Sequence, residues 1–303
     1  MRRVVWITGA GGFSATYLAR YLRELSEDLE LIGLDSARQA PSSLFDLFHL
    51  IDLRNQEAIS ELAQSQPPDR VFHLAGRMPP APEEELWSAN VSATLALLQA
   101  VARRSKKELR ILSIGSAAEY LPASDKLSEN HPCGGTTPYG RTKWAQTVLA
   151  LASGRELNLR VLVARTFNLL GPGLSPHLVA GSLCAQISKG PRKTIEVGDL
   201  QPKRDFVDIR DAVAAYWCVL ERGEPGQIYN VSSGRTTSIR TLARSFVSLS
   251  GFCGTLRENP SRIRRGEIDR SCGDNTKLRG LGWEPSISLR QSLSDMLNRA
   301  RTG

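Results

Sequence analysis

Short apolar runs alternate with longer amphipathic runs through the first half of the chain. The apolar runs have the length of buried strands and lie at 3–8, 30–34, 71–75, 109–114 and 160–165. The amphipathic runs carry apolar residues at helical spacing and lie at 17–25, 86–104 and 139–154. Because strand and helix patterns repeat in this order, the sequence predicts a parallel sheet with right-handed crossovers.

The pattern becomes less regular after Arg165. The later elements are a loop at 171–176, a helix over 177–189, strand-like segments at 204–208 and 227–231, and a final helix over 289–301. We therefore predict an α/β fold with a doubly wound parallel sheet and a smaller C-terminal α/β lobe. The predicted sheet domain is 1–165, with segments returning near 204–215 and 227–233, and the discontinuous lobe is 166–303.

Composition and charge narrow the class of protein only a little. The chain has 303 residues, of which 41% are hydrophobic and 23% charged, as in an ordinary soluble globule. A net charge of +8 invites a nucleic-acid partner. However, Lys and Arg are scattered, with one dense cluster at 257–270, and no nucleic-acid-binding motif accompanies them. The charge suits an anionic nucleotide-linked substrate or solubility equally well, and we predict no nucleic-acid partner.

The cysteines and histidines indicate neither disulfides nor a metal site. Five cysteines stand at wide spacings without a Cys-x-x-Cys pair, and the four histidines form no ligand cluster. The sequence has no signal-peptide pattern and no apolar run long enough to span a bilayer. We expect a cytoplasmic protein with no metal and no membrane partner.

A glycine-rich turn follows the first predicted strand. Gly9 permits a tight turn, Gly11 lies within it, and Gly12 lets the backbone approach a pyrophosphate at the N-terminus of the next helix. Strand, glycine turn and helix in this order indicate a Rossmann-type dinucleotide site, and Phe13 begins its helix. The alternative is a glycine turn that binds nothing.

Two aspartates follow the next strand-like runs. Asp35 ends the run at 30–34, where a carboxylate can accept hydrogen bonds from both ribose hydroxyls and repel a 2′-phosphate. This favours NAD(H), while Arg38 offers a cation that leaves NADP(H) open. Asp52 follows the run at 49–51 and either reaches the adenine amine or caps its own loop.

Tyr139 and Lys143 are the candidate proton-transfer pair. At i and i+4 on a helix they share one face, and a neighbouring ammonium favours the phenolate, so Lys143 is expected to lower the pKa of Tyr139. Alone, such a pair is most often a solvated helix face. Here Ser116 follows another predicted strand, and Gly9, Asp35, Ala75 and Thr166 also follow strand ends. Ligands of parallel sheets bind at these carboxyl ends, which predicts one shared crevice.

These residues resemble a known family, the extended short-chain dehydrogenases/reductases that act on nucleotide-diphosphate sugars. The resemblance covers nearly the whole length and rests on Thr8-Gly-Ala-Gly-Gly-Phe13, His73-Leu-Ala-Gly76, Asn90, Ser116, Tyr139 with Lys143, Arg165-Thr-Phe-Asn168, Gly171-Pro-Gly173 and Arg204-Asp-Phe206. It implies a catalytic Ser116, Tyr139 and Lys143. It further implies a homodimer formed through the helices at 86–104 and 139–154.

The same resemblance implies which other residues contact the cofactor. They are Phe13, Leu53, Leu74, Ala75, Gly76 and Asn90, together with Tyr139 and Lys143. Asn90 supports either the proton path or the helix geometry, and an ordinary buried polar residue is the alternative.

The C-terminal half is similar to that of GDP-mannose 4,6-dehydratases and GDP-4-keto-6-deoxy-D-mannose reductases. By that resemblance, the substrate contacts are Ser116, Asn168, Ser182, Arg204, Arg264 and Glu267. Asn168, Arg204 and Arg264 would hold the diphosphate, which suits arginine forks and an amide donor. Each arginine could instead be an exposed solubilising charge.

The segment from Ser116 to Glu119 separates the reactions of this family. Dehydratases carry an acid/base carboxylate beside the serine, at position 118 and in some also at 117, where this chain has Ala117 and Ala118. Glu119 is one residue out of register, and on an extended backbone it would face away. Bifunctional epimerase–reductases place a cysteine near 118 and use a distant histidine. His177 could be the counterpart of that distant histidine. The alternative is a surface histidine at the start of a helix.

We therefore expect an NAD(P)H-dependent reductase of the C4 ketone of a nucleotide-diphospho-4-keto-6-deoxy-hexose, with a GDP-linked sugar as the expected substrate. The hydride would come from the cofactor and the proton from Tyr139. A C4 epimerase with bound NAD⁺ uses the same three residues and is the main alternative. A 4,6-dehydratase is disfavoured, and a non-catalytic dinucleotide sensor would not need the Ser, Tyr and Lys.

Overall fold

The computed structural model describes residues 2–25, 28–36, 43–103, 108–188, 194–262 and 268–302. Its strands are β1 Arg3–Thr8, β2 Leu29–Asp35, β3 Leu47–Leu50, β4 Arg70–His73, β5 Arg110–Ser116, β6 Arg160–Thr166, β7 Asn168–Leu170, β8 Thr194–Val197, β9 Lys203–Asp208, β10 Ile228–Val231, β11 Thr236–Ser238, β12 Thr255–Glu258 and β13 Arg270–Ser271. Its α-helices are α1 Phe13–Glu24, α2 Gln56–Ser65, α3 Glu83–Trp87, α4 Ala93–Ala102, α5 Pro138–Glu156, α6 Val179–Ser188, α7 Ile209–Arg222, α8 Ile239–Ser250, α9 Thr276–Arg279 and α10 Leu289–Thr302.

The larger sheet is parallel and has seven strands in the order β10-β6-β5-β4-β1-β2-β3. Alternate residues of β1 face opposite sides, because successive side chains of a strand do so. Val5 and Ile7 pack in the core beneath α1 and α7, whereas Trp6 packs in the core beneath α2 and α4. Helices on both faces of a parallel sheet, with strand order reversing beside β1, are the predicted doubly wound Rossmann-type fold.

A second, smaller sheet lies beyond β6. It has the order β11-β9-β13, with β7 also paired to β9, and a separate pair joins β8 to β12. Its apolar core is formed with α6, α8 and α10 and includes Phe206, Phe246 and Leu293. The segment 204–208, expected to return to the first domain, is part of β9 and belongs to this smaller sheet. The helix that follows it, α7, packs against the larger sheet, and Val207 of β9 belongs to the same core.

The long helix expected over 86–104 is divided into two by a π-helical turn at Ser88–Ser92, between α3 and α4. A period-3.6 pattern does not reveal such a turn, since it inserts one residue without changing the apolar character of the segment. The helix expected from 177 begins at Val179 instead, because Leu178 N–H donates to Ser175 O in a preceding turn.

All five cysteines are free thiols, of which Cys184, Cys218 and Cys272 are buried. Among the described residues, no helix is both long enough and apolar enough to cross a bilayer, and no group of three or more potential ligands could hold a metal ion.

Candidate active site

The glycine turn leaves the start of α1 open. Gly9 has φ +67°, and a Cβ there would lie 2.9 Å from the backbone of Ala75. Gly12 precedes α1 in an extended conformation, and no side chain caps the helix. The first amides of α1 therefore face outward at the carboxyl end of the sheet, where a helix N-terminus attracts phosphate oxygens.

Asp35 lies beside this turn, at the end of β2. Its Oδ2 accepts a hydrogen bond of 3.0 Å from Gly11 N–H, which holds the carboxylate next to the glycine backbone. This position fits a ribose between β1 and β2. Arg38, which was expected to oppose the effect of Asp35, lies outside the described residues.

Asp52 acts within its own loop. Its Oδ1 accepts from Arg54 N–H at 2.9 Å, and the carboxylate forms an ion pair with the Arg54 guanidinium, whose hydrogen bond lowers the pKa of Asp52. The loop-capping alternative is therefore present, and contact with an adenine stays a prediction. Leu53, the next residue, is buried in the core under α2.

A chain of buried hydrogen bonds ties the glycine turn to the loop after β4. Ala75 N–H donates to Thr8 Oγ1, which contacts His73 Nδ1 at 2.9 Å, and His73 Nε2 contacts Thr94 Oγ1 at 2.8 Å. Thr94 in turn donates to Asn90 O. All four links form if each hydroxyl donates onward and His73 is neutral. Burial lowers the pKa of His73 to about 3, which keeps the imidazole neutral.

Asn90 supports the site from below. Its Oδ1 accepts from Arg77 N–H, and its amide group donates to Arg77 O and Thr142 Oγ1. The side chain is fully buried and both amide hydrogens are used. The contact with the cofactor that the resemblance implies stays a prediction. In this structure Asn90 fixes the loop after Gly76 against α5.

Ser116 and Tyr139 meet at the carboxyl end of β5. Ser116 ends the strand, and Tyr139 stands in the first turn of α5, which Thr137 caps through a 3.0 Å bond from Gly140 N–H. The two side chains lie close enough for Ser116 to act on the phenol. Burial raises the pKa of Tyr139 to about 12, Ser116 lowers it, and the charge of Glu119 raises it.

Lys143 does not act on the phenol in the expected way. Its ammonium donates to Ile114 O at 2.6 Å and to Gln146 Oε1, so it is directed toward β5. The prediction that Lys143 lowers the pKa of Tyr139 is wrong for this arrangement. Burial lowers the pKa of Lys143 itself to about 8, and the charge of Glu119 opposes that change.

The residues after Ser116 form a 3₁₀ turn rather than an extended segment. Ala117 and Ala118 are partly exposed and carry no proton donor. Glu119 is fully buried, and its Oε2 accepts from Arg165 Nε at 2.7 Å. The carboxylate therefore points into the protein, as expected from its register, although the reason is the turn and the ion pair and not strand alternation.

Apart from Ser116, the expected substrate contacts that the structure describes lie in the smaller lobe, on its sheet and on α6. Asn168 and Arg204 lie on the adjacent strands β7 and β9, and Asn168 donates to Asp205 O at 2.9 Å. Ser182 lies on α6 and contacts Arg262. His177 is exposed just before α6. Arg264 and Glu267 lie outside the described residues, so their roles stay predictions.

Sequence reasoning missed the supporting polar residues. Thr8 and Thr94 orient His73, and Gln146 holds Lys143. Gln146 follows Lys143 by three positions and therefore shares its helix face, which is a signal that the spacing already contained. The partners of Thr8 lie 65 or more positions away and leave no such local signal.

Comparison with known proteins identifies the family. The model of the NAD dependent epimerase/dehydratase family matches residues 5–232. The chain belongs to this family. The predicted class, an NAD(P)-dependent enzyme of the extended short-chain dehydrogenase/reductase type, is thereby confirmed.

Two curated relatives match the chain over nearly its whole length. GDP-6-deoxy-D-mannose reductase of Pseudomonas aeruginosa is 34% identical over 98% of this chain and 97% of its own length. dTDP-6-deoxy-L-talose 4-dehydrogenase (NAD(P)(+)) of Kitasatospora kifunensis is 28% identical over 97% of this chain and 94% of its own. The solved structure of RMD from Pseudomonas aeruginosa complexed with NADPH superposes with a TM-score of 0.87, 30% identity and 99% coverage of both chains.

The residues present fit a nicotinamide dinucleotide. A Cβ at Gly9 would occupy the space against Ala75, the N-terminus of α1 has no side-chain cap, and Asp35 stands at the end of the adjoining strand. Amide donors and a ribose-binding carboxylate are the donor set that a pyrophosphate and an adenosine ribose need. The nucleotide would be held by Gly9, Gly11, Gly12 and Asp35. Tyr139 and Lys143 lie on α5, near the carboxyl end of β5.

Proposed function

We propose that the protein reduces the C4 ketone of a nucleotide-diphospho-4-keto-6-deoxy-hexose with NAD(P)H, and that the substrate is GDP-4-keto-6-deoxy-D-mannose. The observation that carries the proposal is the composition of the site around Ser116. Ser116 and Tyr139 stand together beside two alanines, and the carboxylate of Glu119 is bound to Arg165. Proton exchange at one carbonyl oxygen is thus supported, whereas proton removal from carbon is not. The 34% identical reductase supports the choice of sugar.

Ser116 and Tyr139 divide the work at the carbonyl oxygen. The bound nicotinamide supplies the hydride to C4. The Ser116 hydroxyl orients the C4 oxygen, and the Tyr139 phenol gives its proton to the alkoxide that develops there. The phenolate left on Tyr139 then recovers a proton from solvent. The product is the alcohol, and one reduced cofactor is consumed for each ketone.

The protonation state of Tyr139 favours this direction. With a pKa raised to about 12, the phenol is protonated at neutral pH. Reduction begins with a proton donor, so the resting form is already the active one. An epimerase must first remove a proton from the C4 hydroxyl, which needs phenolate. The protonated phenol therefore suits ketone reduction, and the 34% identical reductase supports reduction over epimerisation.

Other parts of the proposal concern binding and assembly. Lys143 binds the nicotinamide ribose after leaving Gln146, and Asn168 with Arg204 binds the diphosphate, since amide and guanidinium groups donate to phosphate oxygens. Asp35 favours NADH, although the relative structure is complexed with NADPH. Trp87 and Trp144, each 40% exposed, support a homodimer through α3–α4 and α5. We place the enzyme in the cytoplasm.

Incubation with GDP-4-keto-6-deoxy-D-mannose and each reduced cofactor tests the proposal. We expect stoichiometric loss of reduced-nicotinamide absorbance and a product heavier by two hydrogens. Conversion without net loss of the cofactor would indicate an epimerase. Formation of a dehydrated ketone from GDP-mannose would contradict the assignment. Tight cofactor binding without turnover of any 4-keto sugar would favour a dinucleotide sensor.

A further inference from the structure

A buried ion pair lies directly behind the catalytic hydroxyls. Arg165 Nε donates to Glu119 Oε2 at 2.7 Å, and the two side chains are 3% and 0% exposed. Glu119 Oε1 accepts from Ser116 N–H at 2.7 Å. Both oxygens accept from N–H groups, which is the pattern of an ionised carboxylate. Burial raises the pKa of Glu119, and the guanidinium of Arg165 opposes that rise.

Arg165 is itself fixed by several elements. Its guanidinium lies over the ring of Tyr120, 4.5 Å from the centroid, and donates to Glu129 O. Tyr120 O–H donates to Asn230 Oδ1 at 2.7 Å, which joins this cluster to β10. The carboxylate of Glu119 therefore meets a guanidinium that cannot readily move away.

Glu119 connects this cluster to both catalytic hydroxyls. Its side chain holds the amide of Ser116, and the backbone O of Glu119 accepts from Gly134 N–H and Gly135 N–H at 2.9 and 3.0 Å. Gly135 packs against Gly140 of the first turn of α5. A Cβ on Gly135 would lie 2.3 Å from the backbone C of Gly140. That turn carries Tyr139. One residue thus sets both the turn of Ser116 and the loop before Tyr139.

The charge of Glu119 also acts on the proton-transfer groups. It raises the pKa of Tyr139 and opposes the fall of the pKa of Lys143. The charged and titratable groups that face it are Arg165 of β6, Tyr139 and Lys143 of α5, and Cys133 of the preceding loop. Tyr216 of α7 also interacts with Tyr139.

We propose that Glu119, paired with Arg165, is a positioning residue that fixes Ser116 and Tyr139 relative to each other. The catalytic part of this inference rests on the proposed ketone reduction. The geometric part does not, because the bond from Ser116 N–H to Glu119 exists without substrate.

Glu119→Gln tests the role, with Glu108→Gln as the matched control. Glu108 accepts from Arg160 at the same 2.7 Å and joins the turn before β5 to β6, but Glu108 is 73% exposed and Arg160 41%. We expect Glu119→Gln to lower kcat by roughly 10- to 100-fold with little change in KM, as small misplacements of catalytic groups do. Glu108→Gln should keep wild-type kcat. Equal kcat in wild type and Glu119→Gln would overturn the proposal.

A second readout needs no substrate. The tyrosinate absorbance of Tyr139, taken as the difference from the same protein carrying Tyr139→Phe, is followed with rising pH while circular dichroism shows the native fold. Loss of the Glu119 charge should move its onset to lower pH, because a nearby anion disfavours phenolate. An unchanged onset contradicts the electrostatic role. If the onset moves while wild type reduces no ketone, the proposed function fails and the role of Glu119 stands.

Glu119→Asp covers the case in which the glutamine variant does not fold because Arg165 has lost its partner charge. Aspartate keeps the charge but is one methylene shorter and cannot reach Ser116 N–H and Arg165 together. We expect a tyrosinate onset near that of wild type and a kcat that stays low. Wild-type kcat in Glu119→Asp would show that the exact position of the carboxylate is unimportant and would overturn the proposal.

Discussion

The two ends of the larger sheet are formed by the same strands, but their residues differ in charge. At the amino end, Arg70, Arg110 and Arg160 are the first residues of β4, β5 and β6 and lie side by side in register. At the carboxyl end, the last register row of β5 and β6 holds Ser116 and Thr166. Along β5 and β6, one end is therefore cationic and the other carries neutral hydroxyls.

At the amino end, the arginines are paired with acceptors of α7, so this end stabilises the fold. Glu221 binds Arg70 at 2.5 Å and Arg3 at 3.2 Å. Arg110 donates to Leu220 O and Gly223 O at the end of α7, where helix carbonyls attract cations. Neighbouring arginines would repel one another without these acceptors.

The carboxyl end instead presents groups that a ligand can engage. The first amides of α1 have no side-chain cap, and Ser116 lies near Tyr139 at the crevice. The carboxylate of Glu119, close to these hydroxyls, is turned inward toward Arg165. The difference shows that this sheet concentrates fixed charge where no chemistry occurs and keeps formal charge out of contact with the reacting carbonyl.

Tyr139→Phe should give the largest effect at the carboxyl end. Loss of a general acid typically costs about 10²- to 10⁴-fold in rate, and we expect kcat to fall by that amount. Binding of NADPH, measured by fluorescence titration, should change little, because the ring remains. Retention of full turnover would remove the phenol from the mechanism.

Gly9→Ala should weaken cofactor binding and also stability. The residue has φ +67° and a Cβ would lie 2.9 Å from Ala75, so strain of about 1–3 kcal/mol is expected, with the turn displaced from the phosphates. Gly251→Ala is the control, since it has φ +71° with nothing within 4 Å of the added Cβ. It should lower Tm without changing the Kd of NADPH. Equal Kd in both variants would argue against a phosphate site at Gly9.

Asp35→Ala should alter the choice of cofactor. Without a carboxylate at the end of β2, the 2′-phosphate meets no repulsion and the ribose loses an acceptor. We expect kcat/KM with NADH to fall about tenfold relative to NADPH, which corresponds to about 1.4 kcal/mol. Asp46→Ala, whose carboxylate binds Leu31 N–H outside the crevice, should leave the ratio unchanged. An unaltered ratio in Asp35→Ala would place ribose recognition elsewhere.

Glu221→Gln at the amino end should lower stability by about 1–2 kcal/mol and leave kcat unchanged. Burial raises the pKa of Glu221, but Arg70 and Arg3 outweigh it and hold the pKa below its usual 4.5. Its contribution is therefore present above pH 4.5 and is lost as pH falls through the lowered value. Urea unfolding of wild type and variant at neutral and acid pH measures this. A difference that grows on acidification would contradict it.

Much of the sheet was predictable because apolar runs and glycine turns are local signals. The strands β1, β2, β5 and β6 and the crevice at their carboxyl ends follow from such runs. The direction of the Lys143 ammonium was not predictable, since it depends on Ile114 O, 29 positions away. The inward turn of Glu119 depends likewise on Arg165, 46 positions away.

The π-turn at Ser88–Ser92 has a consequence for how insertions and deletions would act. It lies between α3 and α4 and carries Asn90, and its loops contain one residue more than an ordinary helical turn. Removal of one residue there would restore a uniform helix, rotate Asn90 away from Arg77 and Thr142, and disconnect α5 from the loop beyond Gly76. The additional residue thus sets the helical register of Asn90, and any shortening of this segment would lose that register.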